Sequence, residues 1–141
     1  MLRRLLILCL AAAILTGCSG RDRKPEHQFA EGDIVRVLQE AGLQASVSSE
    51  IPENVSAFGV KGHAVGVGRE SLQVYVYASE GEQQRVSISS DGYAIGWGNR
   101  SAQVEWVAPP HFVRKANILV TFATNNDRLA DQVRLAVEGL K

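Results

Sequence analysis

Leu72-Gln73-Val74-Tyr75-Val76-Tyr77-Ala78 alternates without a break, with Leu72, Val74, Val76 and Ala78 on one face and Gln73, Tyr75 and Tyr77 on the other. A period of two is the signature of a β-strand whose faces meet different surroundings. A second stretch, Asn117-Ile118-Leu119-Val120-Thr121-Phe122-Ala123-Thr124, is apolar on both faces and predicts a central strand covered on each side. The tyrosines of the first stretch offer two readings: an aromatic binding strip, or half-buried rings covering a core.

Working outward, Ile34, Val37, Leu38 and Ala41 recur at helical spacing, with Glu31 and Asp33 near the start and Gly42 past the end. Leu129, Val133, Ala136, Val137 and Leu140 line one face of a second helix, which Asn125 or Asn126 can cap and Gly139 can close. Between the helices, residues 43–47 alternate as a strand, while residues 51–55 contain Pro52 and Asn54 and read as a loop. Residues 58–67 carry Gly59, Gly62 and Gly66 and suggest a twisted or edge strand. Residues 80–89 suit a helix at their start and a strand at their end. Ser90-Asp91-Gly92-Tyr93 is a turn signal. Residues 104–107 read as a short strand stopped by Pro109-Pro110. The sum is an α+β fold: a small antiparallel or mixed sheet of four to five strands, with an N-terminal and a C-terminal helix on one face. Both helices are expected to meet the sheet around Val74, Val76, Val120 and Phe122.

The first 18 residues have a different character. Met1-Leu2-Arg3-Arg4 is a short positive head, and residues 5–15 form an unbroken apolar run. Crossing a bilayer as a helix takes about 20 apolar residues, so the run predicts a signal-peptide core rather than a span. It ends in Leu15-Thr16-Gly17-Cys18, which resembles the lipobox of bacterial lipoproteins. The resemblance implies cleavage after Gly17 and a diacylglycerol (with palmitate or similar acyl chains) on Cys18. Two or three chains would anchor the protein firmly where one would not. Ser19 after the cysteine resembles cargo sent to the outer membrane in Gram-negative cells; in Gram-positive cells the anchor would hold the outer face of the cell membrane. The expected organisation is signal peptide 1–17, lipidated cysteine and polar tether 18–29, and one domain 30–141.

Removing residues 1–17 leaves 13 basic and 15 acidic side chains. This balance gives no reason to expect nucleic acid, which calls for a concentrated basic face. Cys9 leaves with the leader, so Cys18 would be the remaining cysteine, and neither a disulfide nor thiol chemistry is expected in the domain. His27, His63 and His111 include no pair at metal-ligand spacing, no Gly-x-Ser-x-Gly elbow is present, and no metal or cofactor is expected.

Residues 90–117 hold both tryptophans and the sequence Trp106-Val107-Ala108-Pro109-Pro110-His111-Phe112-Val113-Arg114. Here the chain resembles a set of small, uncharacterised bacterial secreted proteins and lipoproteins with a Trp-x-x-Pro-Pro-His-Phe segment, a resemblance that implies a shared fold unit and no mechanism. His111, Trp106, Trp97, Arg114 and Asp91 are the candidate binding residues. His111 has two readings: a ligand or proton-transfer group near neutral pH, or a ring bonding a backbone carbonyl at a turn. The functional expectation is a non-enzymatic envelope lipoprotein, attached to a membrane through Cys18, that binds a partner protein or ligand. The alternative is a small hydrolase or ligand-binding enzyme pairing His111 with a carboxylate such as Asp91 or Glu105.

Overall fold

The alternation of residues 72–78 becomes the middle of a sheet. The computed structural model describes residues 27–141. The lipobox, Cys18 and the tether up to residue 26 lie outside these residues.

Helix α1 (Glu31–Glu40) leads into strands β1 (Ala45–Ile51), β2 (Gly62–Val67) and β3 (Glu70–Val76), with a 3₁₀ turn at Glu53–Val55. A short helix α2 (Glu80–Gln84) precedes the small strands β4 (Ser87–Ile88), β5 (Ala94–Trp97) and β6 (Arg100–Gln103). The long strands β7 (Pro110–Lys115) and β8 (Ile118–Ala123) and helix α3 (Asp127–Glu138) close the chain. Five strands form an antiparallel sheet in the order β1-β2-β3-β8-β7, and β4-β5-β6 form a second sheet. The α+β class is as the sequence predicts, and β8 sits inside the large sheet, flanked by β3 and β7.

Both long helices cover one face of the large sheet. Ile34, Leu38, Val133 and Val137 pack with Leu72, Val74, Val120 and Phe122 in one apolar cluster, and Val76 joins its rim. The helix starts are held locally. The Asp33 carboxylate accepts the Ala30 N–H (2.9 Å), and the Asn126 side chain accepts the Leu129 N–H (3.1 Å).

The opposite face carries a second cluster of Tyr75, Tyr77, Leu119, Phe58, Val86 and Ile95, covered by the small sheet and the loop at Phe58. Tyr75 and Tyr77 are therefore core residues, each 2% exposed, and do not form a binding strip. Burial pushes the Tyr75 phenol up to about 12, offset in part by the Ser56 hydroxyl, and raises that of Tyr77 as well. Gly59 lets the chain fold close over this cluster. Its φ is +78°, and a Cβ there would lie 2.2 Å from the Trp97 indole.

Several local expectations change. Strand β2 is shorter than residues 58–67 and lies between β1 and β3 rather than at an edge. Residues 80–89 are both things in succession, a helical turn and then β4. Residues 104–107 keep the alternating exposure of a strand but pair with no neighbouring strand, so they form none. The prolines begin a strand rather than end one. Pro110 opens β7 at the sheet margin, where its missing N–H costs no ladder bond.

Packing also begins before residue 30. Phe29 is buried, its N–H donates to the Asn117 Oδ1 (2.7 Å), and the Asn117 Nδ2 donates to the carbonyls of Phe29 (3.0 Å) and Tyr77 (3.1 Å). Gln28 donates to the Ala78 carbonyl (3.0 Å). The last residues of the expected tether are thus clamped to the sheet.

Candidate functional site

Alternation along β7 decides where the sequence candidates fall. His111 and Val113 point to the helix side, and Phe112 and Arg114 to the side of the small sheet. His111 stacks on Phe122 with ring centroids 5.0 Å apart. Its Nε2 lies 3.3 Å from the Thr124 carbonyl oxygen, the one polar contact of the ring among the described residues. It borders a hollow of about 300 Å³ shared with Asp127, Asp131 and Arg134. Neither Asp91 nor Glu105 borders that hollow; the carboxylates that do are Asp127 and Asp131.

Arg114 reaches the other way. Its Nη1 and Nη2 donate to the carbonyls of Gln83 (3.0 Å) and Val86 (2.7 Å), tying β7 to the end of α2, and burial lowers its pKa. Asp91 closes the turn ahead of β5. Its carboxylate accepts the Ser89 hydroxyl and the Tyr93 N–H (3.0 Å), both of which hold its pKa below the usual carboxylate range, and Gly92 takes φ +79° beside it. Trp97 packs over Gly59, and Trp106 donates its indole N–H to the Gly92 carbonyl (2.9 Å) and meets Phe112 edge-on. Four of the five candidates hold the small sheet in place, and His111 stands on the other face.

Trp106 alone among them also lines a cleft of about 710 Å³. The small sheet covers only part of its face of the large sheet. Where cover ends, toward the start of β3 and the end of β8, the floor presents Ser71 and Gln73, with Tyr75 and Thr121 buried just beneath them. One wall is the loop of Asn54, Val55 and Ser56, and the other is the segment 102–107, which runs on from β6 and bends at Val107. The floor is polar and cross-linked: the Tyr75 hydroxyl donates to Gln73 Oε1 (2.8 Å), and the Thr121 hydroxyl lies at 3.5 Å from the same oxygen. The rims are apolar. Val107 is 99% exposed and Val55 is 68% exposed. Glu70 and Glu105 are the charged residues of the lining, which holds no lysine, arginine or histidine; Glu70 also borders a neighbouring hollow with Arg69 and Arg128.

An apolar-rimmed concavity with a few convergent polar groups is the usual form of a ligand site. The sequence signals for it were faint: Thr121 and Gln73 as polar residues in the two strongest strands, and Val107 as an aliphatic residue before the prolines. No group of three or more potential metal-binding side chains occurs among the described residues, and no helix among them is long and apolar enough to cross a membrane. Compared with protein-family models, curated proteins and solved structures, the chain matches none.

Proposed function

We propose that this chain is an envelope lipoprotein, held to a membrane by lipid on Cys18, whose domain captures a partner in the cleft without chemical turnover. The observation that carries the reading is the cleft itself, where two exposed valines, Val55 and Val107, stand on either side of a hydrogen-bonding floor. Exposed aliphatic side chains gathered at a concavity mark interaction sites, whereas single ones scattered over a surface do not. The position of the cleft supports the same reading. The chain enters the sheet at Ala78 and Asn117, whereas the cleft floor lies around Gln73 and Thr121. Five residues of strand, about 16 Å, separate Gln73 from Ala78. With the anchor on Cys18, a cleft this far from the docking point of Gln28 and Phe29 would be left open to a partner.

Two measurements test the two halves. Cys18→Ala should abolish lipid labelling and move the protein from the membrane to the soluble fraction; unchanged labelling or fractionation refutes the anchor. A photo-crosslinking residue at Val107 should give a discrete adduct in intact cells. The same residue at Leu135, an exposed apolar position on α3, should give none. Equal adducts from both positions would remove the cleft as the site of capture.

A further inference from the structure

The inference rests on the cleft reading and names the occupant. Three independent features of the lining converge on one kind of molecule.

The first is backbone. The wall formed by residues 102–107 continues from β6, the outer strand of the small sheet. The Val104 N–H reaches the Tyr93 carbonyl (2.8 Å), and no other backbone group of residues 104–107 has a backbone partner among the described residues. An extended run of open N–H and C=O groups beside a concavity is what a peptide pairs with when it adds as a further strand. The second is charge. Glu70 and Glu105 face the cleft without a cation in the lining, and neither takes part in an ion pair among the described residues. Glu70 accepts one long hydrogen bond, from the Thr124 hydroxyl at 3.4 Å. An anionic polymer would be repelled here, and a basic side chain would complete both groups. The third is the pair of apolar rims at Val55 and Val107, which suits side chains that alternate with the basic ones along an extended chain.

We propose that the cleft binds an extended, basic segment of an envelope protein. The segment pairs its backbone with residues 104–106, seats aliphatic side chains against Val55 and Val107, and meets Glu105 and Glu70 with lysine or arginine. The chain's own Arg21, Arg23 and Lys24 are the competing occupant.

The test uses the full chain in detergent, read by tryptophan fluorescence and calorimetry. The probes are a short peptide alternating valine and lysine, its valine–glutamate counterpart, the valine–lysine peptide N-methylated at alternate residues, and spermidine. The valine–lysine peptide should bind below about 1 mM. Glu70→Gln with Glu105→Gln should weaken that binding by about fivefold or more, the loss expected for two part-exposed pairs. The other three probes should bind at least tenfold more weakly. Binding of the glutamate peptide at equal strength overturns the charge argument. Equal binding of the N-methylated peptide overturns strand addition, and equal binding of spermidine overturns a peptide occupant. A gain of more than about fivefold on replacing Arg21, Arg23 and Lys24 with glutamine assigns the cleft to the chain's own tether instead. If no probe binds while the Val107 adduct persists in cells, capture in the cleft stands and the basic strand falls. Loss of both signals removes both readings.

Discussion

The two faces of the five-stranded sheet are built to different ends. The helix-covered face is sealed: Leu38, Val65, Leu72, Val74, Val120 and Val133 are each fully buried in one continuous apolar cluster. The other face is sealed where Tyr75, Tyr77 and Leu119 meet the small sheet, and it opens beyond them onto Ser71 and Gln73. Burial of apolar area stabilises the fold on either side at about 25 cal/mol per Å². A half-covered sheet face gives up part of that stabilisation, and what it retains is a shaped, hydrogen-bonding surface. One face therefore supplies most of the stability, and the other is free to carry recognition.

Substitutions can break this division. Leu38→Ala removes a fully buried side chain from the helix face and should cost about 2–5 kcal/mol in urea unfolding, with Val107 crosslinking retained at temperatures where the domain is folded. A loss below about 1 kcal/mol would mean that the helix layer is not the main source of stability. Gly59→Ala places a methyl group into the Trp97 ring at a positive φ, and should cost about 3 kcal/mol through strain and overpacking on the other face. It should also shift tryptophan fluorescence, since Trp97 has to move.

Alkali tests the tyrosine layer beneath the small sheet. Tyr75 keeps its proton up to about pH 12 when folded, while an unfolded tyrosine loses it near 10. The unfolded state thus binds fewer protons above pH 10, and stability falls as pH rises from about 10 through 12, by an amount on the order of 2–3 kcal/mol from Tyr75 alone. Burial raises Tyr77 in the same direction and should deepen the loss. A flat stability profile across that interval would show that the layer admits water. The smallest effect is expected at the cleft floor. Ser71→Ala removes an exposed hydroxyl of the floor and should change stability by less than about 1 kcal/mol while weakening capture at the cleft. A large stability loss would make Ser71 part of the scaffold rather than of the site.

The elements with a long, clean period were legible in the sequence. Helices α1 and α3 and strands β3 and β8 each carry enough periodic apolar residues to define a face, and those faces meet as expected at Val74, Val120 and Phe122. Strands β5 and β6 are four residues each, and the glycines at 96 and 98 lie in or beside them, so neither shows a readable period. Strand β7 was hidden behind Pro109-Pro110, because a proline at the first residue of an edge strand looks in sequence like one that ends a strand. The site was less legible than the fold. Proximity in sequence grouped Trp106, His111 and Arg114, but the pleat of β7 turns His111 away from Arg114 to the opposite side of the sheet. The cleft is assembled from four separated segments, and its floor residues look in sequence like ordinary interruptions of apolar strands.

The Asn117 clamp has a mechanical consequence. Tension arriving along the chain toward residue 27 meets the hydrogen bonds of Gln28 to Ala78 and of Phe29 to Asn117 before it reaches α1. Ala78 and Asn117 stand at the ends of the paired strands β3 and β8, so the pull passes into the ladder of the sheet, and the helix downstream of the clamp is spared from unwinding. A domain tethered at this point can be tugged without loosening the layer that stabilises it.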